Sequence, residues 1–276
     1  MADDVKKSST IWETLKTVFW ALVIAGIFRT VLFQPFWIPS GSMKDTLLIG
    51  DFLFVNKMAY GYSFASCPNI RLPGLNIDAQ KICGFLDGDN TRVWGTEPEQ
   101  GDIIVFRHPV NGTDYIKRVI GMPGDRVQMI DGVLNLNGEP VKLQEAGYFE
   151  EVFAPQGPLR KTPRCSNGVA GIGAICIKER FIETLPNGRS HDILNIGPQG
   201  SDNTGVFVVP EGHYFFMGDN RDNSQDSRAR VTAQGVGFVP FENLIGRADR
   251  VIFSSAGRSM LFFWTWRGDR FFHKLQ

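Results

Sequence analysis

The sequence has no excess of charge of either sign, with 29 Lys and Arg against 29 Asp and Glu. That balance supplies no basic field for a phosphate backbone, so no nucleic-acid partner is expected. Histidine is scarce, at four residues in 276. No CxxC pair occurs and no His stands at a zinc-like spacing from a Cys, so the expectation is no metal and no other cofactor. Also missing are a GxSxG elbow, an HExxH helix, a P-loop and a GxGxxG turn, which removes several common hydrolase and nucleotide-binding readings. There is no repeat and no low-complexity tract. Beyond the N-terminus hardly any stretch keeps the helical period.

What is present points to short strands. Thirty Gly, 15 Pro and 22 Phe suggest many strands and turns. Phe52–Val55 follows Gly50-Asp51, and Asp102–Phe106 follows Gly101. Tyr115–Ile120 ends at Gly121-Met122-Pro123-Gly124-Asp125, and Val206–Val209 leads through Pro210-Glu211-Gly212 to Tyr214–Met217. Val133–Leu136 precedes Asn137-Gly138, a hairpin turn. The expected class is mainly β. Residues 61–99 read as an excursion from the core, and 126–208 as a smaller β domain inserted between its two halves.

Residues 17–28, TVFWALVIAGIF, carry no charge, and Arg29 is followed by TVLF before Gln34. The expectation is a single membrane-spanning helix over 11–34, with Arg29 snorkelling to an interface. Lys6, Lys7 and Lys16 would keep the tail, 1–10, in the cytoplasm and send the rest across. A cleavable signal-peptide core is the first alternative, opposed by Arg29, Phe33, Phe36 and Trp37 where small residues should stand. A buried core helix is the second, opposed by apolar residues around the whole circumference. On the far side cysteines oxidise. Cys165 and Cys176, in one Gly-rich stretch, fit a disulfide best, and Cys67 with Cys83 is a second candidate. Four buried thiols are the alternative. The aromatic tail, Leu261–Trp266 and Phe271-Phe272, reads either as a last core strand or as a surface resting on a membrane.

Three polar islands carry chemistry. Pro39-Ser40-Gly41-Ser42-Met43 offers hydroxyls beside a glycine that admits close approach, although such a loop alone is most often a plain turn. In Asp114-Tyr115-Ile116-Lys117-Arg118-Val119, Lys117 lies inside an apolar strand. Desolvation there favours the neutral amine, a general base for a hydroxyl, whereas an edge-strand Lys facing water is the bland reading. Gly218-Asp219-Asn220-Arg221-Asp222-Asn223-Ser224-Gln225-Asp226-Ser227-Arg228 fails the EF-hand spacing. It reads instead as a scaffold whose carboxylates and guanidinium groups pair with each other.

Read in order, these islands resemble the boxes of bacterial type I signal peptidases. The likeness continues through Thr46-Leu47-Leu48-Ile49-Gly50-Asp51, Gly101–Phe106, Gly121–Asp125 and Gly237-Phe238-Val239-Pro240. The resemblance implies a Ser/Lys serine endopeptidase that removes signal peptides from preproteins after an Ala-x-Ala site. It implies Ser42 as nucleophile, Lys117 as base, and an oxyanion hole from the Ser40 hydroxyl and the Ser42 N–H. Ser224 would orient Lys117, and Asp226, Arg228 and Asp219 would hold the loop. Phe36, Ile38, Met43, Leu47, Tyr115 and Ile116 would line shallow pockets for small side chains. The implied architecture is a coiled β-sheet catalytic core, 35–125 and 209–276, lying on the bilayer of a bacterial inner membrane. Its catalytic side would be periplasmic or otherwise extracytoplasmic.

The sequence departs from the family where Asp45 replaces a common Pro, and in offering one span where the best-studied Gram-negative relatives have two. The stretches 61–99 and 126–205 carry no family motif. Competing readings are a Ser/Lys peptidase with a different substrate and an anchored binding module without activity.

Overall fold

The computed structural model describes residues 2–67, 70–72, 75–77, 83–86, 92–168, 171–231, 235–257 and 262–275. Its helix, α1, spans Ala2–Val31. The chain leaves the helix before Gln34-Pro35, where proline denies the helix an N–H and pushes the preceding residue to extended geometry. Phe33 and Gln34, assigned to a span over 11–34, therefore already pair with Asn56 and Val55 in a sheet. Among the described residues no helix is long and apolar enough to cross a membrane.

Strands follow in the order β1 (Phe33–Trp37), β2 (Asp51–Asn56), β3 (Ile70–Leu72), β4 (Leu75–Ile77), β5 (Ile103–Arg107) and β6 (Asp114–Gly121). Then come β7 (Arg126–Ile130), β8 (Val133–Leu136), β9 (Glu139–Pro140), β10 (Lys142–Val152), β11 (Ile175–Thr184) and β12 (Ser190–Asn195). The last are β13 (Phe207–Val208), β14 (His213–Met217), β15 (Val239–Pro240) and β16 (Leu244–Ser254). The main sheet runs β1-β2-β16-β5-β6-β14-β15, every pair antiparallel. Register shifts where β16 meets β2 and β5, and where β14 meets β6, curl it. β14 pairs with β6 only from Arg118 to Gly121, so Asp114–Lys117 keep one strand edge outside that ladder.

Period-two alternation places a core on each face of this sheet. Ile103 and Val105 pack with Met43, Leu47, Leu53, Val55 and Val251 on one face, while Ile104 and Phe106 pack with Val119, Tyr214 and Phe216 on the other. Residues 126–208 form two further sheets, β13-β7-β8-β9 and β10-β11-β12. The first shares its core with the main sheet, since Val127, Met129, Leu134 and Leu136 pack with Ile120, Phe215 and Met217. The expected insertion thus has sheets of its own, the first of them packed on the main sheet. Gly121 marks the junction, where an added Cβ would stand 2.6 Å from Val127 Cγ2.

Disulfides join Cys67 to Cys83 and Cys165 to Cys176. Much of the 61–99 excursion lies outside the described residues. The aromatic tail is no strand: it forms 3-10 turns at Phe263–Thr265 and Gly268–Arg270. Trp266 and Phe271 meet Phe253 of β16 edge to face, leaving Phe263, Trp264 and Phe272 exposed.

Candidate active site

Ser42 sits on the turn between β1 and β2, and Lys117 on the buried middle of β6. Lys117 is 3% exposed, and its Nζ donates to Ser42 Oγ at 2.5 Å and to the Ile116 carbonyl at 3.1 Å. No acidic side chain pairs with it directly among the described residues. Burial pulls the ammonium down to about 8, while the more distant Asp226 and Asp219 push back up. The Ser42 N–H finds no internal acceptor among the described residues, and Ser40 is exposed at the mouth of the same cleft.

The turn is held from behind by the third island. Asn220 donates its main-chain N–H to the Ser42 carbonyl at 3.1 Å and its side-chain amide to the Gly41 carbonyl at 2.8 Å. Gly218 admits this approach, because a Cβ there would lie 2.5 Å from the Ser42 carbonyl oxygen and 2.3 Å from Ser224 Oγ. Asp226 accepts from the Gly218 N–H at 3.0 Å and pairs with Arg228 at 2.9 Å, and Arg228 reaches the Arg221 carbonyl at 2.5 Å. Burial would raise the Asp226 carboxyl, but the charge and hydrogen bonds of Arg228 outweigh it and leave it below the usual range. Within the loop Asp226 and Arg228 pair with each other, whereas Arg221 pairs with Glu183 of β11.

One assignment differs in geometry. Ser224 lies in the cleft wall, but its buried hydroxyl makes no hydrogen bond to Lys117. Asp219 leaves the loop and grips Arg118 with two bonds of 2.9 and 2.8 Å, while Thr46 Oγ donates to it at 2.5 Å. Its carboxyl, raised by burial, is brought below the usual range by Arg118. Arg118 points to the opposite face of β6 from Lys117, so one strand carries the basic group and the clamp for its supporting loop.

The six apolar residues assigned to pockets divide into two groups. Tyr115 and Ile116 line the open cleft, which has a volume of about 680 Å³. Ile38, Met43 and Leu47 are buried in the core beneath, with Phe36 packed partly against them, so they form a floor and not an exposed lining. Tyr115 also stacks toward Phe106 and His108, at 6.2 and 5.1 Å between ring centres. Among the described residues no group of three His, Cys, Asp or Glu side chains is placed to hold a metal ion.

Sequence reasoning missed Asn220, Arg118 and the Lys44–Glu151 contact. Arg118 carried a signal, since a guanidinium within an apolar strand demands a buried partner. Lys44 is 4% exposed and donates to Glu151 at 2.5 Å and to Gln156 at 2.7 Å. Glu151 lies in the stretch without motifs and carried none.

Comparison with known proteins gives the family. Residues 11–253 match the family described as signal peptidase, peptidase S26. The chain belongs to this family. A signal peptidase I of Rickettsia typhi is 38% identical over 262 residues, covering 92% of this chain and 84% of that protein. Its counterpart in Rickettsia prowazekii is 37% identical over the same shares. A crystal structure of a signal peptidase I from Enterococcus faecalis aligns with 27% identity and a TM-score of 0.29, covering 55% of this chain and 97% of that one. The chain is accordingly a serine endopeptidase of the signal peptidase I family, whose members are membrane-associated bacterial enzymes acting on preprotein signal peptides.

Proposed function

We propose that the chain cleaves exported preproteins after a small-x-small site, Ala-x-Ala above all, with Ser42 as nucleophile and Lys117 as general base. The observation that carries this reading is the 2.5 Å contact between Lys117 Nζ and Ser42 Oγ, in a setting that draws the ammonium down to about 8. A neutral Lys117 takes the Ser42 proton as Oγ attacks the scissile carbonyl, then returns it to the departing amine. The Ser42 N–H and the Ser40 hydroxyl stabilise the oxyanion, whose charge appears only in the transition state. Asn220, Asp226 and Arg228 hold the turn and loop.

The edge of β6 that lies outside the β14 ladder suits an extended peptide added as a strand. Such a peptide alternates its side chains, so the first and third residues before the cut face the floor formed over Met43 and Leu47. That floor is full, which favours Ala over larger side chains. In the same reading α1 anchors the chain in a bacterial inner membrane with its N-terminus in the cytoplasm, and the active site works on the far side. Ile11, Trp12, Leu15, Phe19, Trp20 and Leu22 are all exposed on the helix.

The test is to cleave an Ala-x-Ala preprotein and map the product ends by mass spectrometry. A single cut after the second Ala, abolished when either Ala becomes Leu, is expected. Cuts elsewhere, or equal cleavage of the Leu substrates, would refute the assignment.

A further inference from the structure

We propose that the 156–164 loop between β10 and β11 forms the wall past which the mature part of the preprotein leaves, and that it selects an acidic residue just after the cut. This rests on the reading of Ser42 as nucleophile. If the signal-peptide side of the substrate lies on Tyr115 and Ile116, the chain beyond the scissile bond runs along the remaining wall of the cleft. That wall includes Gln156, Leu159, Lys161, Thr162, Pro163 and Arg164.

The loop is fixed to the catalytic turns at both ends. Near its start, Gln156 accepts from Lys44 Nζ at 2.7 Å and donates to Glu151 at 2.6 Å. Glu151 also accepts from Lys44 and Lys178, so a buried carboxylate between two ammonium groups ties the hairpin to the residue two places after Ser42. Gly157, at φ +62°, lies so close to the Ser42 turn that a Cβ would stand 2.9 Å from Ile49 Cγ2 and 3.0 Å from the Pro39 carbonyl. At the far end Arg164 donates to the Asp222 carbonyl at 2.5 Å, and the Cys165–Cys176 disulfide holds the next residue to β11. The wall spans the gap between the Ser42 turn and the Ser224 loop, and each attachment restrains its position.

Its charge is uncompensated. Lys44 and Lys178 share Glu151. Arg164 spends its hydrogen bonds on the neutral Asp222 carbonyl and Gln199 side chain, so its charge remains available. Lys161 is exposed and has no ionic partner among the described residues. The acids of the same cleft are engaged elsewhere: Asp114 pairs with Arg107, and the Asp222 carboxylate accepts the N–H groups of Ile196 and Gly197. An Asp or Glu on the departing chain meets Lys161 and Arg164, whereas a Lys is repelled. Exchanging attraction for repulsion at these exposed charges gives about a tenfold preference.

The experiment uses the full chain in neutral detergent and Ala-x-Ala peptides bearing Asp, Asn or Lys at each of the first four positions after the cut. Wild type is expected to cleave the Asp peptide with about ten times the kcat/KM of the Lys peptide at one or more positions. The ratio should fall toward one in 1 M salt, where the screening length is about 3 Å. Lys161→Glu, a change on an exposed loop, should reduce the ratio at least fivefold. Equal kcat/KM for Asp and Lys peptides in wild type, or a wild-type ratio retained in Lys161→Glu, overturns the proposal. If wild type cuts none of the peptides, the nucleophile reading falls first and this one with it.

Discussion

A lysine amine in an apolar strand is held at a free-energy cost. Pulling Lys117 from 10.5 to about 8 disfavours its charged form by about 3 kcal/mol. Two predictions follow from that cost. Lys117→Met removes the base and the buried charge together, so cleavage should fall at least 10³-fold while the melting temperature at pH 7 stays level or rises. A lower melting temperature would make Lys117 structural. In wild type, log kcat/KM should climb one unit per pH unit below about 8 and level off above it, because only the neutral amine accepts the Ser42 proton. The linkage has the same sign. Between about 8 and 10.5 the unfolded chain binds the proton that the folded chain has lost, so this group's penalty on stability shrinks as pH rises through that window. A rate independent of pH from 6 to 9 would exclude a titrating base. At this scale Ser42 and Lys117 were legible because each lies in a multi-residue motif. The unpaired Ser224 hydroxyl was not, since its hydrogen bonding depends on how an irregular loop closes.

At the scale of elements, β6 couples chemistry to scaffold through adjacent residues on opposite faces. Arg118 and Asp219 are 1% exposed, so loss of one partner strands a buried charge. Asp219→Ala should cost about 3–5 kcal/mol in urea unfolding, and the double change with Arg118→Met should recover part of it. Strand positions were readable from alternation and glycine turns, and β2, β5, β6, β8 and β14 fall on the stretches so identified. The attachment of β10 and β11 to the Ser42 turn was not readable. It depends on Lys44, which meets Glu151 and Gln156 across more than a hundred residues of chain, and on Lys178 at the same carboxylate, and these form no local pattern. The packing of β7 and β8 against the main sheet was unreadable for a related reason. Val127 and Leu136 alternate as any half-buried strand does, and nothing local shows that their partners are Ile120 and Phe215.

At the scale of the molecule, α1 and the aromatic tail each expose apolar surface. Phe263, Trp264 and Phe272 are 64–69% exposed, and Trp37 and Phe54 present further rings on β1 and β2. The account predicts that removing residues 1–31 leaves peptide cleavage measurable but weakens co-sedimentation with phospholipid vesicles. Changing Phe263, Trp264 and Phe272 to Ser should weaken it further. Full binding by the doubly altered chain would place the membrane contact elsewhere.

The most direct measurement of the central claim is cleavage of one Ala-x-Ala preprotein by wild type, Ser42→Ala and Lys117→Met, each shown folded by its melting curve. The account predicts a cut after the second Ala by wild type and the loss of nearly all activity in both variants. Normal cutting by folded Lys117→Met, or by folded Ser42→Ala, would contradict it.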